Sequence, residues 1–149
     1  MTTIARQTIP AHVVVALRDT IPSYSDENLL WDRLMPAVFA AGAVPLSAGA
    51  TYLDEEYREA DVDVEVWCGV PQLVSVSEPL VCREVGSTEV VALTVTGDYS
   101  QLNAAFGEIG AYATQNGLTG SGPMFCRYLV GPAQTRNAEE YVTEVCMPV

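Results

Sequence analysis

The stretch Asp63-Val64-Glu65-Val66-Trp67-Cys68-Gly69-Val70 is echoed at the end of the chain by Val142-Thr143-Glu144-Val145-Cys146-Met147-Pro148-Val149. Each copy alternates apolar and polar residues with the period of a β-strand and carries one glutamate. Before each lies an amphipathic segment ending in glycine, Gly42 in the first half and Gly117 in the second. Before that comes a β-branched run, Val13-Val14-Val15-Ala16-Leu17 and then Val90-Val91-Ala92-Leu93-Thr94-Val95. The glutamates are spaced slightly wider than the glycines, so the extra residues of the second copy fall in Gly131–Ala138. A repeat too long for a solenoid unit reads as two fused copies of one small module, about residues 1–75 and 80–149, within one domain spanning 1–149. Two copies about a pseudo-twofold axis would leave a seam, where small-molecule sites tend to form.

Composition narrows the function classes. With 49% hydrophobic residues the 149-residue chain can build a proper core and is not disordered. The formal charge of −12, from 19 acidic residues against 7 lysines and arginines, argues against direct nucleic-acid binding, which needs cations to neutralise phosphates. The same charge would steer a cationic ligand inward. Met1-Thr2-Thr3-Ile4-Ala5-Arg6 does not read as a signal peptide, and the longest apolar run, Met35 to Leu46, is too short to span a bilayer. Cys68, Cys82, Cys126 and Cys146 form no CxxC pair and are read as free thiols in a reducing, cytoplasmic setting. With His12 as the lone histidine, no metal site and no cofactor are expected.

The periodicity predicts a first helix from Ser25-Asp26-Glu27, with Leu30, Leu34, Val38 and Ala41 on one stripe, closed by Gly42 and kinked or shortened at Pro36. A second helix opens at Asp98 to Ser100, carries Leu102, Phe106, Ile109 and Ala113 on one face, and ends at Asn116-Gly117. Strands are expected at 12–18, 47–53, 60–70, 80–86, 89–96, 123–129 and 141–149. One stripe per helix implies an α+β layout, both helices on one face of an antiparallel sheet.

Period 2 sorts the strand residues by face. Val62, Val64, Val66 and Cys68 point toward the helices, as do Val145 and Met147. Asp61, Asp63, Glu65 and Trp67 point the other way, onto an exposed face that reads as a groove for a hydrophobic or cationic aromatic ligand. The competing reading is a cross-strand tryptophan packing over its neighbours, with the acids reaching into solvent. Glu144 aligns with Glu65, so Val142, Glu144 and Cys146 take the groove face by symmetry. Met124, Cys126 and Tyr128 share one face of strand 123–129, with Phe125 and Arg127 on the other. The candidate ligand-binding residues are Tyr52, Glu65, Trp67, Met124, Cys126, Tyr128, Glu144 and Cys146. No catalytic residue is assigned. Asp54-Glu55-Glu56 with Glu59, Asp61 and Asp63 lacks the glycine and spacing of a calcium loop and reads as a solvated hairpin.

Several segments resemble the gyrase-inhibitor-like (GyrI-like) effector-binding domains. They are Arg6-Gln7-Thr8-Ile9-Pro10-Ala11-His12-Val13-Val14 with Leu17-Arg18, Leu30-Trp31 with Leu34, and Val62-Asp63-Val64-Glu65-Val66. Gly97-Asp98-Tyr99, Gly122-Pro123 with Tyr128-Leu129, and Thr143-Glu144 ending in Pro148-Val149 continue the match in order over essentially the whole chain. The resemblance implies two βαββ modules with a ligand groove between them. It also implies binding of hydrophobic, cationic or varied drug-like molecules, either free-standing or as the sensing half of a MerR-type or AraC-type transcription regulator. A DNA-binding domain would then lie in a longer or separate chain. Some free-standing members resemble hydrolases of reactive cyclopropane-containing natural products, which is the alternative activity. Others in the family sequester a protein partner, but no exposed apolar helix or basic stripe is read here. Many members carry a glutamate two positions before the tyrosine of the Gly-Pro strand, where this chain has Cys126. A thiol supplies no fixed negative charge unless its pKa falls, and a Cys-His catalytic pair cannot be placed from the sequence.

Overall fold

The computed structural model describes residues 4–54 and 57–149; Glu55 and Glu56, the centre of the acidic run, lie outside the described residues. The described chain has eight antiparallel strands and two α-helices, the α+β class expected. It divides into two compact units: Pro10–Ser87, and Thr88–Val149 joined by the strand ending at Ile9.

The first unit holds β2 (His12–Ile21), α1 (Asn28–Ala40), β3 (Ser47–Tyr52), β4 (Val62–Val70) and β5 (Val81–Val85). Its strand order is β3-β4-β2-β5, with α1 packed on β2 and β4. The second holds β1 (Ile4–Ile9), β6 (Thr88–Thr96), α2 (Leu102–Gln115), β7 (Phe125–Val130) and β8 (Val142–Pro148). Its order is β1-β6-β8-β7, with α2 packed on β6 and β8. The βαββ cores, β2-α1-β3-β4 and β6-α2-β7-β8, share one topology, while the edge strands β5 and β1 hold equivalent places but come from different points in the chain. Among the described residues no helix is long and apolar enough to cross a membrane.

Both helices stop by the same device. Gly42 and Gly117 adopt φ of +74° and +65°, a left-handed conformation that glycine reaches without steric cost. Ala43 N–H then donates to Val38 O at 3.2 Å and Leu118 N–H to Ala113 O at 2.8 Å, satisfying carbonyls the helix would leave open. Helix starts were read too early. A 3₁₀ turn, Tyr24–Asp26 in one unit and Tyr99–Gln101 in the other, precedes each α-helix. Nor does Pro36 shorten α1, which runs through it to Ala40. Leu30, Leu34 and Val38 are buried on α1, and Ala105, Ile109 and Ala113 on α2.

The strand at Ile4–Ile9 is the largest departure from the sequence reading, which began the first strand at His12. Pro10 offers no N–H to a ladder and separates two strands that belong to different units. β1 pairs with β6 from Ile4↔Leu93 to Ile9↔Thr88, so the module boundaries are not the simple halves 1–75 and 80–149. Ile9 closes a small core with Val90, Ala92 and Cys146, against which Phe125 packs. A chain beginning at Pro10 should therefore lose hydrogen-exchange protection first at those β6 amides between Thr88 and Leu93 that face β1. Protection there equal to that of the full chain would show that β1 adds nothing to its unit.

Candidate functional site

Ladder register fixes which side chains share a face, because directly opposed residues point the same way. In the first unit Tyr52 opposes Val64, whereas Glu65 opposes Arg18 and Trp67 opposes Ala16. Tyr52 therefore lies on the valine face with α1, and Glu65 and Trp67 on the far face. The second unit repeats the division. Cys126 opposes Val145 and Tyr128 opposes Thr143, while Phe125 opposes Cys146 and Arg127 opposes Glu144. Tyr128 reaches Tyr99 at the start of α2, and the loop after α2 passes Met147, which marks the Tyr128 face as the helix face. The eight sequence-selected residues therefore do not form one surface. Tyr52, Cys126 and Tyr128 lie on helix faces; Glu65, Trp67, Glu144 and Cys146 lie on far faces. Met124 is half-buried just before β7.

The far faces are knit by internal partners. Arg83 grips Glu65 with two hydrogen bonds, at 3.1 and 2.5 Å, and Arg18 grips Asp63 with two, at 3.0 and 2.6 Å. Trp67 is not on an exposed face: it is 7% exposed, with its ring 5.9 Å from His12. Arg127, which the sequence reading turned away from the groove, bonds Glu144 at 2.8 Å on the shared far face. The Cys146 thiol donates to the same Glu144 oxygen at 3.4 Å. Burial, then the neighbouring Glu144 charge, push that thiol well above its ordinary pKa, and burial also raises Cys68. Each of these residues thus has a partner within its own unit.

On the helix faces the tyrosines gather. In the first unit the Tyr24 and Tyr52 rings meet edge to face, centroids 5.7 Å apart at 78°, and Tyr57 lies 5.5 Å from Tyr24. Tyr52 Oη donates to Glu27 Oε1 at 3.2 Å, and Trp31 Nε1 donates to Glu27 Oε2 at 2.9 Å. A carboxylate is thus fixed among aromatic rings at the start of α1. In the second unit Tyr99 meets Tyr128 edge to face, 5.6 Å apart at 62°, and stacks on Tyr141 at 5.1 Å. Cys126, fully buried, is the next residue on that face of β7. These are surfaces on which an aromatic ligand can exchange ring contacts.

The sequence reading missed Tyr24, Tyr57, Tyr99, Tyr141, Glu27 and Trp31 as site candidates. The duplication held a signal for two of them: Tyr24-Ser25 and Tyr99-Ser100 are spaced as Gly42 and Gly117 are.

The GyrI-like small molecule binding domain model matches residues 7–149. The chain belongs to the GyrI-like family. Solved structures agree on the fold. The EcmrR C-terminal domain superposes with a TM-score of 0.88 at 22% identity, over 99% of this chain and 97% of that one. EcmrR in a complex with DNA gives 0.93 at 22% identity over 99% of this chain, which spans only 57% of the EcmrR chain. A hydrolase from Listeria innocua gives 0.73 at 12% identity, over 97% and 90% of the two chains. SAV2435 bound to tetraphenylphosphonium gives 0.60 at 15% identity, over 99% and 93%. No curated protein sequence is significantly similar to the chain.

Two of the far-face ion pairs differ in burial, and that difference is measurable. Glu144 keeps 10% of its side chain exposed with Arg127 at 28%, against 14% for Glu65 and 43% for Arg83. Arg127→Leu should cost about 2 kcal/mol or more in urea unfolding, because it strands a buried carboxylate, and Arg83→Leu clearly less. Equal losses would mean that burial does not set the worth of these pairs. Thiol accessibility gives a second check. Cys82 is the only half-buried cysteine, the other three being buried, so a maleimide should label Cys82 first and the rest only on unfolding. Early labelling of Cys146 would contradict the far-face packing.

Proposed function

We propose that this GyrI-like domain is a receptor for a hydrophobic aromatic small molecule, bound on the tyrosine-bearing helix faces, and that a cationic ligand is preferred. The carrying observation is Glu27, held by Tyr52 Oη and Trp31 Nε1 beside the Tyr24 ring. Aromatic faces and a carboxylate both attract a cation, and a lipophilic one loses little on leaving water. That SAV2435 has been solved with tetraphenylphosphonium supports the ligand class. Of the residues selected from the sequence, Tyr52, Cys126 and Tyr128 are the ones this reading retains at the binding surface.

The domain would serve as the sensing part of a transcription regulator, with DNA contacted by another domain or chain. Support comes from EcmrR, whose DNA complex contains a chain of which this one spans little more than half. The charge of −12 fits that division of labour, since a strongly net-negative domain is poorly matched to DNA phosphates. The alternative, hydrolysis of reactive cyclopropane-containing natural products, draws on the Listeria hydrolase fold. Cys126 at the position of the family glutamate favours binding, because a buried thiol is no ready general base.

Thermal shift with tetraphenylphosphonium and the neutral triphenylphosphine oxide tests the proposal, since a ligand that binds only the folded state raises Tm. The cation should stabilise the natural protein more. Glu27→Gln should weaken cation binding about tenfold with little effect on the neutral compound. Cys126→Glu should strengthen the cation and leave the neutral compound unchanged or weaker, since a buried carboxylate without a partner is costly. Indifference of both compounds to Glu27→Gln and Tyr52→Ala would place binding elsewhere. Turnover of a cyclopropane-bearing natural product by the natural protein would replace the receptor reading with the hydrolase one.

A further inference from the structure

The second unit holds a polar group that its own packing does not explain. Thr143 is 1% exposed on β8, and its hydroxyl finds no hydrogen-bond partner among the described residues. A buried hydroxyl without a partner costs folding free energy, and valine would fill the same volume without that cost. Register states where the group sits. Thr143 opposes Tyr128 on one side and Val95 on the other, so its side chain stands beside the Tyr128 ring on the helix face. Tyr141, two residues earlier, stacks on Tyr99, and Tyr99 meets Tyr128 edge to face. The unsatisfied hydroxyl thus lies next to one ring of a three-tyrosine cluster, on the face that also carries the buried Cys126 thiol.

Two of the three rings are hung on turns rather than on the sheet. Of the three tyrosines only Tyr128 lies in a strand. Tyr99 belongs to a three-residue 3₁₀ turn, and Tyr141 directly follows another, Ala138–Glu140. A ligand ring can take the place of Tyr99 or Tyr141 in the stack without breaking the β7–β8 ladder.

We propose that the Thr143 hydroxyl is the specificity-determining contact of the second unit's aromatic surface, where it hydrogen-bonds a polar atom carried at the edge of a neutral aromatic ring. This rests on the receptor reading of the helix faces and adds to it the ligand chemistry of one of them. On β7 and β8 this face carries Cys126, Tyr128, Thr143 and Val145, with no carboxylate or cation among them, so it selects by a neutral hydrogen bond rather than by charge. A threonine hydroxyl both donates and accepts, and therefore suits a phenol, an amide or a ring carbonyl. A site whose hydrogen-bonding group is left unpaired by the wrong ligand discriminates against that ligand more strongly than an apolar pocket can.

The test uses the full chain and two probes of matched size, 2-naphthol and 2-methylnaphthalene, titrated by fluorescence. The natural protein should bind 2-naphthol about tenfold more tightly, the worth of one neutral hydrogen bond. Thr143→Val should erase that difference by weakening 2-naphthol alone, while its Tm equals or exceeds that of the natural protein. Tyr128→Ala should weaken both probes. If Tyr128→Ala weakens both but Thr143→Val leaves the preference for 2-naphthol intact, the Thr143 assignment falls and the receptor surface stands. If neither probe binds the natural protein, or Tyr128→Ala changes neither affinity, the surface and the assignment fall together.

Discussion

Everything else in each unit follows from one row of valines sealed under one helix. Val62, Val64 and Val66 on β4 are fully buried on the face that α1 covers, and Leu93 and Val145 occupy the same place under α2. Strand side chains alternate strictly, so committing one row to the core commits every other residue of the strand to the opposite side. Pairing carries that commitment across the sheet. Once Val66 faces α1, Ala50 on β3 and Leu17 on β2 must face it too, and Glu65, Arg18 and Thr51 must not. The chemistry available on each face is therefore settled by packing before any ligand is considered.

The far faces show what that constraint leaves over. Carboxylates at Asp63, Glu65 and Glu144 are turned away from the helices in a chain with few cations, yet each meets an arginine. Those pairs use Arg18, Arg83 and Arg127, three of the 7 lysines and arginines the chain has. A buried or half-buried carboxylate is costly unless paired, so spending scarce cations there follows from the fold. The acidic excess remains for the surface, and at Glu27 a phenol and an indole donate to the carboxylate. Such donors orient a carboxylate among aromatic rings.

How far the sequence could be read follows from the same distinction. Valine rows, helix-closing glycines and the duplicated Glu65 and Glu144 strands are local patterns, and the elements they imply are present. The boundary at Pro10 was harder, because Ile4–Ile9 is short, amphipathic only in part, and finds its partner strand far along the chain at Thr88–Thr96. The face of each strand was legible, but which strands share a face was not, since that depends on register. Tyr52 and Glu65 look like neighbours in a list of pocket residues, yet one ladder step separates them onto opposite sides. The residues that did join Tyr52 and Tyr128 came from turns. Tyr24, Tyr99 and Tyr141 lie in segments with no hydrophobic period, where only the repeat could have singled out the first two.

The two units solve the same packing problem with the same topology, but their helix faces have diverged in chemistry. Each sets an edge-to-face tyrosine pair at the start of its helix, Tyr24 with Tyr52 and Tyr99 with Tyr128. One surrounds its pair with a carboxylate and an indole; the other with a buried thiol and a buried hydroxyl. Stability gives no reason for that divergence, because valine at Thr143 would pack at least as well. A duplicated scaffold has here kept its βαββ core while its polar residues diverged, around the aromatic pairs and on the far faces, where Glu65 opposes Arg18 but Glu144 opposes Thr94.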